Sequence, residues 1–509
     1  MRPLISLAAA GFAALLPYQA FAQKAEDTVR IAVNDSFPLL DTYHYSLDEA
    51  AAFDRGVYLP LISYDQAKKQ WVNLLTTGFR RIDPLTIEFD LRQDITFHNG
   101  NKFDAADVKG TFEYLADPNV KIQFKSRYDW VKEVEILGPY KVRIHAKKAF
   151  STDLGMLAYR MRVRDIETLN ALADKADYGK NPNGVGPYRV TSIDRNAGLT
   201  LEAVPNHWEG RKYFPQPVKR VKAIFMPDRQ TQVAQLMTGN IDLMRNITSD
   251  DAKNLAANPN LAVTPTGSEI LLYVTLDAAG RSKNKVMTDA RVRKAFVMAI
   301  DRKSLATHIL PGGDIAVMNK AICFPTTIAC APTTDVYGYN PAEAKRLLAE
   351  AGFPNGMDLV LHAHEPVKYV AEAIAGEVRK IGIRASVESM PSAAYVRSRG
   401  NGEFTAFTGF FPAGTHPDTA VLNDFFFNDN RDYWQDPMIK KAMDDGDNEL
   451  DEAKRTALYT PILDEVNREA YILPVSELPI VWAHNKDVVV KPNPLTSSLP
   501  NLGDYGWKK

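Results

Sequence analysis

Few residues in this sequence are spaced for chemistry. His362-Ala363-His364-Glu365 is the one metal-like cluster. Side chains alternate along an extended strand, so His362 and His364 would share a face. The spacing supplies no third ligand, and the segment reads as a polar strand end before Pro366. A tight one-to-one metal titration would reverse that reading. Gly184-Val185-Gly186 superficially looks like a phosphate loop, but Pro187-Tyr188-Arg189-Val190 continues as a strand where a phosphate loop must open a helix. Nucleotide binding is thereby excluded. No Gly-x-Ser-x-Gly elbow, His-Glu-x-x-His or Gly-Lys-Ser/Thr loop occurs. His98, isolated in Phe97-His98-Asn99-Gly100, reads as a hydrogen-bonded structural side chain.

The only two cysteines, Cys323 and Cys330, lie in a Pro- and Thr-rich stretch that holds none of the nine histidines. Outside the cytosol that pattern reads as a disulfide in preference to a metal pair or two free thiols. It would close a short loop, worth about 2.5 kcal/mol in the chain-entropy account.

The elements that must position these residues alternate. Thr28–Val33 is a β-branched run, and residues 84–92 alternate with period two, so both are expected strands. Residues 104–115 form a helix capped by Asp104, with Asp107 three residues on and Val108, Phe112 and Leu115 on one face. In residues 289–300, Val292, Ala295, Phe296 and Ala299 share a face while Arg291, Arg293 and Lys294 stay in water. Asn340 caps a third helix, with Pro341 at its first position and Gly352 as terminator. Strands alternating with helices give an α/β protein.

Arg2, an apolar run over residues 4–16 and Ala20-Phe21-Ala22 have the order of a secretory signal peptide, residues 1–22. The apolar run is too short for a span, which needs about 20 residues. No cysteine lies directly after it, the two being far downstream, so the mature chain is expected free in the periplasm, without a lipid anchor. The remaining length exceeds one core and implies two or three domains. With 61 Lys+Arg against 62 Asp+Glu and no charge tract, the chain carries no footprint for nucleic acid or an anionic membrane.

An ordered set of motifs carries a resemblance. Asp90 to Gly100 (DLRQDITFHNG), followed by Asp104 to Val108 (DAADV), resembles the "LR-x-x-x-x-FH-x-G … A-x-DV" signature of family 5 extracellular solute-binding proteins, which serve ABC importers of peptides and nickel complexes. Gly184 to Tyr188 (GVGPY), Asn206 to Gly210 (NHWEG), Leu236 to Asp242 (LMTGNID), Val292 to Ala295 (VRKA), Ala299 to Arg302 (AIDR) and Ala344 to Gly352 follow in the family's order. The resemblance spans about residues 29–490.

The resemblance implies a two-lobed periplasmic binding protein fold with a hinge and an extra inserted subdomain. Lobe I would take residues 23–62, 183–272 and 474–509, the inserted subdomain 63–182, and lobe II 273–473, with crossings near Tyr273 and Pro474. It implies a monomer that delivers a small solute, peptide-like or opine-like, to ABC permease subunits in the inner membrane, without a cofactor and without catalysis. A metal-chelate-binding protein and a secreted hydrolase are the competing readings. Peptide-binding members hold the peptide's α-amino group with an Asp in a Gly-Trp-x-x-Asp-x-x-x-Pro segment. Residues 409–417 align with it, and Phe410 and Ala413 replace that Trp and that Asp. A cationic amine buried without an anion costs several kcal/mol, so an ordinary α-ammonium clamp is not expected unless Asp418 or another carboxylate supplies it. The expected ligand-binding residues are Tyr43, Tyr273, Phe410, Phe411, His416 and Asp418, aromatic walls with orienting polar groups. Phe425, Phe426 and Phe427 read as core.

Overall fold

The computed structural model describes residues 24–45, 48–65, 68–208, 218–331, 337–413, 418–427, 430–491, 502–503 and 505–508. The expected signal peptide and His416 lie outside them.

Two large sheets dominate. The first has seven strands in the order Leu261–Thr266, Ile480–Asn485, Leu243–Arg245, Thr28–Val33, Arg220–Phe225, Gly198–Ala203 and Tyr188–Asp194. Thr28–Val33 sits in its middle, wholly buried, as a β-branched strand covered on both faces must be. The second has five strands in the order Ile383–Met390, Met357–His364, Ala406–Pro412, Ile270–Leu276 and Ile472–Glu477. Its strand Ile270–Leu276 divides two cores by its pleat. Leu272, Val274 and Leu276 face the helices of one cluster, whereas Leu271 and Tyr273 face an aromatic cluster on the other side. A four-stranded antiparallel sheet, Thr76–Asp83, Thr86–Leu91, Lys141–Ala146 and Val131–Gly138, packs with the helix Ala105–Ala116 around a third core.

Several motifs turn out to be scaffold. Asp242 accepts Arg30 Nε at 3.0 Å, Arg30 Nη2 at 2.8 Å and the Arg30 amide at 2.8 Å, locking the end of one motif to the central strand. Gly184 and Gly186 lie so close to the backbone of residues 56–57 that a Cβ would meet Val57 O at 1.9 Å and Gly56 O at 2.3 Å. His98 Nε2 bonds Gly186 O at 2.8 Å, and burial pushes its imidazole down to about 4, so it stays neutral. Asp104 and Asp107 form the capping box, and Asn340 caps Pro341–Glu350. Arg293 departs from expectation. It is buried, not wet, because its guanidinium donates to the carbonyls of Met287, Thr288 and Glu469, with the Glu469 carboxylate 3.4 Å from Nη2.

The chain passes between the two large sheets twice, at residues 267–269 and at 478–479. The expected positions, Tyr273 and Pro474, are instead paired partners inside the five-stranded sheet. The passage is marked by Gly267, where a Cβ would meet Glu477 Oε1 at 2.9 Å, and by Glu269 at φ 51°.

Candidate functional site

The two crossings are tied to each other by side chains. Glu477 Oε1 accepts the amides of Ser268 at 2.5 Å and Glu269 at 3.0 Å, and the Ser268 hydroxyl donates to the Leu478 carbonyl. Glu269 is 4% exposed; its Oε1 accepts the Thr326 hydroxyl, and its Oε2 is without a partner. Burial, with Glu477 adding to it, pushes the Glu269 carboxyl up to about 7. The main chain of Glu269 accepts the Ala413 amide at 3.0 Å, so the end of strand Ala406–Pro412 is fixed to the first crossing.

Thr326 belongs to the loop closed by the disulfide Cys323–Cys330, whose Cα atoms are 5.9 Å apart. The same loop offers Ile328 O to the Thr419 amide at 3.0 Å and to its hydroxyl at 2.9 Å. The disulfide loop therefore braces both the crossing, through Glu269, and Thr419.

The residues singled out from sequence are spread over several environments. Neighbours on one strand face opposite ways, so Phe410 and Phe411 cannot line one wall. Phe410 is half-buried and stacks on His364, ring centroids 5.1 Å apart, while Phe411 is buried against Phe425 and Phe426. Tyr273 is buried on the Phe411 side, where a Cβ on Gly409 would meet its hydroxyl at 2.5 Å. Tyr43 is buried in the core of the four-stranded sheet, its hydroxyl donating to Arg162 O at 2.8 Å and accepting the Arg162 amide at 2.6 Å. Asp418 is 5% exposed and its carboxylate is gripped by both terminal nitrogens of Arg455, one of them at 3.0 Å. His362 stacks on Phe404, and His364 shares a hydrogen bond with Ser392 Oγ at 2.7 Å.

The two lobes meet on one side. Tyr64 enters the aromatic core around Tyr273, and Trp71 and Tyr159 pack on that core and on the core of the four-stranded sheet. The Ser151 amide donates to Asp447 O at 2.8 Å across the same junction.

Beside that junction the sequence Tyr159-Arg160-Met161-Arg162-Val163-Arg164 sets three arginines two residues apart. Two of them have acids. Arg162 lies 2.9 Å from Asp54, and Arg164 3.3 Å from Asp41, with its guanidinium 3.4 Å from the Tyr58 ring centroid. Burial pushes the Asp54 carboxyl up despite these cations, whereas for Asp41 burial is outweighed by Arg164 and His44. The third, Arg160, has no ion pair among the described residues and keeps part of its surface accessible. Burial and the like charges of Arg127, Arg55 and Arg162 push it down to about 9. Arg127 caps the Phe124 ring at 4.1 Å and feels Asp424 of the opposite lobe, and the backbone of Asp424 accepts Arg431 at 3.0 Å. Sequence reading missed this group, although arginines at period two were a visible signal.

Over residues 70–433 the sequence matches the bacterial extracellular solute-binding proteins, family 5 middle region. The chain belongs to family 5 of the extracellular solute-binding proteins. Similar chains include the glutathione-binding protein GsiB of Salmonella paratyphi A, 26% identical over 505 residues, covering 95% of this chain and 94% of the relative. Among solved structures, CtaP from Listeria monocytogenes superposes with TM-score 0.82 at 17% identity, covering 95% and 99% of the two chains. AgaA of A. tumefaciens R10, solved with agropinic acid, gives TM-score 0.70 at 20% identity over 95% and 99%. The architecture is the two-lobed fold of periplasmic binding proteins.

Proposed function

We propose that this family 5 protein is the periplasmic solute-binding component of an ABC importer, capturing one small solute between its lobes and passing it to the permease as a monomer. The observation that carries this reading is the double crossing at residues 267–269 and 478–479. Two crossings leave the lobes free to hinge about a short, hydrogen-bonded seam. Closure then buries the solute, and the contacts made only in the closed form bias the hinge. With the crossings at residues 267–269 and 478–479, lobe II runs from Ile270 to Glu477, and lobe I takes the seven-stranded sheet on either side of it, with the inserted subdomain at about residues 63–182. Export by residues 1–22 accords with the disulfide. Among the described residues no helix is long and apolar enough to cross a membrane.

The solute is peptide-like or opine-like, in keeping with relatives named for glutathione and a neighbour solved with agropinic acid. Ala413 carries no charge and Asp418 is held by Arg455, so neither offers an anion to a peptide's α-ammonium group. The solute leaves the cleft chemically unchanged. A thermal-shift panel of peptides, glutathione, opines, sugars and metal chelates tests the reading. A true solute at about 100 times its Kd stabilises the fold by roughly 2.7 kcal/mol. No shift across the panel, or turnover of an ester or peptide that survives repurification, would contradict it.

A further inference from the structure

The strands Ile62–Asp65 and Gln70–Asn73 form a separate two-stranded ribbon at the start of the inserted subdomain. Ile62 and Tyr64 are two residues apart and so share one of its faces. Ile62 belongs to the core of the four-stranded sheet, whereas Tyr64 belongs to the aromatic core of lobe II, whose other buried members all lie between Leu271 and Ile472. One face of the ribbon thus begins in one lobe's core and ends in the other's. Trp71 stands directly opposite Tyr64, with ring centroids 4.8 Å apart, and packs on both cores. A two-stranded ribbon has too little apolar surface of its own to enclose a ring. Tyr64 is nevertheless only 8% exposed, because lobe II covers it.

A second contact lies on the segment leading into helix Asp153–Tyr159. The Ser151 amide donates to Asp447 O at 2.8 Å, at the end of helix Pro437–Asn448. The Asp447 carboxylate accepts the Tyr459 hydroxyl at 2.8 Å and Asn423 Nδ2 at 2.6 Å, which holds the acceptor in place. Tyr459 lies in the same aromatic core as Tyr64. Both contacts join protein to protein, and neither uses a residue of the crossings at 267–269 and 478–479. Lobes that swing about two short crossings make contacts away from them only when they come together. Withdrawing an aromatic ring from water shifts such an equilibrium by about tenfold to a hundredfold.

Building on the reading of a hinged solute trap, we infer that Tyr64 and the Ser151–Asp447 bond form a clasp between the inserted subdomain and lobe II that favours closure with or without a solute. The clasp keeps a share of the unliganded molecules closed, and a solute draws in the rest. Apparent affinity scales with the share that is competent to bind. The inserted subdomain therefore sets how tightly every solute is held, by one common factor, while the cleft sets which solutes are held.

Small-angle scattering on unliganded wild-type protein, Tyr64→Ala, Tyr64→Phe and Ser151→Pro is the primary test. Calorimetry follows, with each of the peptides, glutathione, opines, sugars and metal chelates that shifts the wild-type melt. Unliganded Tyr64→Ala and Ser151→Pro should have a larger radius of gyration than unliganded wild type, and saturating solute should bring them to the wild-type bound value. Tyr64→Ala should lose affinity about tenfold or more, by the same factor for every compound that binds. Tyr64→Phe keeps the ring and should match wild type throughout. Circular dichroism checks the fold; Ser151→Pro removes the backbone donor and decides the matter if Tyr64→Ala does not fold. An unliganded radius equal to wild type in the folded variants would overturn the clasp. So would a loss of affinity confined to one of several bound solute chemistries at unchanged radius, which would make Tyr64 a cleft contact. If no compound binds wild-type protein, the solute-binding reading falls, and the unliganded scattering still judges the clasp.

Discussion

The amide of Ala413 donates to the carbonyl of Glu269 at 3.0 Å. That bond joins the segment where peptide-binding relatives place their ligand acid to the point where the chain first passes between lobes. The side chain of the same Glu269 reaches the disulfide loop through Thr326. The first crossing, the end of strand Ala406–Pro412 and the disulfide loop are thus one connected unit, and perturbing any of them should be felt by the others.

Glu269 should make stability fall with rising pH. Its folded pKa, about 7, exceeds the ordinary 4.5 because burial and Glu477 disfavour the charged form. The folded state therefore holds the proton more tightly, and its stabilising contribution is complete below about pH 4.5 and lost as pH rises to about 7. Glu269→Gln, neutral throughout, should match wild type at low pH and exceed it above neutrality by up to about 3 kcal/mol. Asp107 and Asp447 also titrate high, at about 7 and about 6, so the quantity to read is the difference between variant and wild type in melts across pH. A Gln variant weaker than wild type at every pH would contradict the account.

Asp418→Asn should cost about 3–5 kcal/mol in urea denaturation, because Arg455, 3% exposed, would keep a buried charge without its anion. Adding Arg455→Met should restore part of the loss. If Asp418→Asn leaves stability intact and abolishes binding of free-amine peptides, Asp418 is a ligand contact and not a structural anion.

Exported protein should weigh two hydrogens less than its reduced form, and reduction should cost about 2.5 kcal/mol in unfolding. Because the loop holds Glu269 and Thr419, reduction should also weaken solute binding. Rapid alkylation of Cys323 and Cys330 in the unreduced native protein would refute the bond's presence.

Much of the fold was legible because local signals and tertiary packing agree in it. The Asp104 box, the Asn340 cap and the strand Thr28–Val33 are local features that neighbouring residues suffice to encode. Arg293 was misread because helical periodicity says which face a residue takes, not whether a loop's carbonyls will fold over that face. The site was less legible. Glu269 and Glu477 are 208 residues apart in sequence, and nothing in either neighbourhood announces that their segments cross. Phe410 and Phe411 were both assigned to the cleft, yet the pleat sends them to different surroundings. The arginine run 160–164 was visible, but which arginine lacks an acid depends on Asp41 and Asp54, more than a hundred residues earlier.

Acetylating the α-amino group of a bound peptide should change its affinity by less than about tenfold, since loss of a buried ion pair would cost more than the 1.4 kcal/mol that a decade represents. The comparison is calorimetry on one peptide set, free and acetylated. Submicromolar binding that acetylation abolishes would show that a carboxylate near Ala413 clamps the amine after all, with Glu269 the adjacent candidate.

Small-angle scattering across a solute titration tests the central claim most directly. For the compound giving the largest thermal shift, the radius of gyration should fall and saturate at one solute per chain, as the lobes close about residues 267–269 and 478–479. An unchanged radius of gyration at saturating concentrations of every solute in the panel would contradict capture by closure.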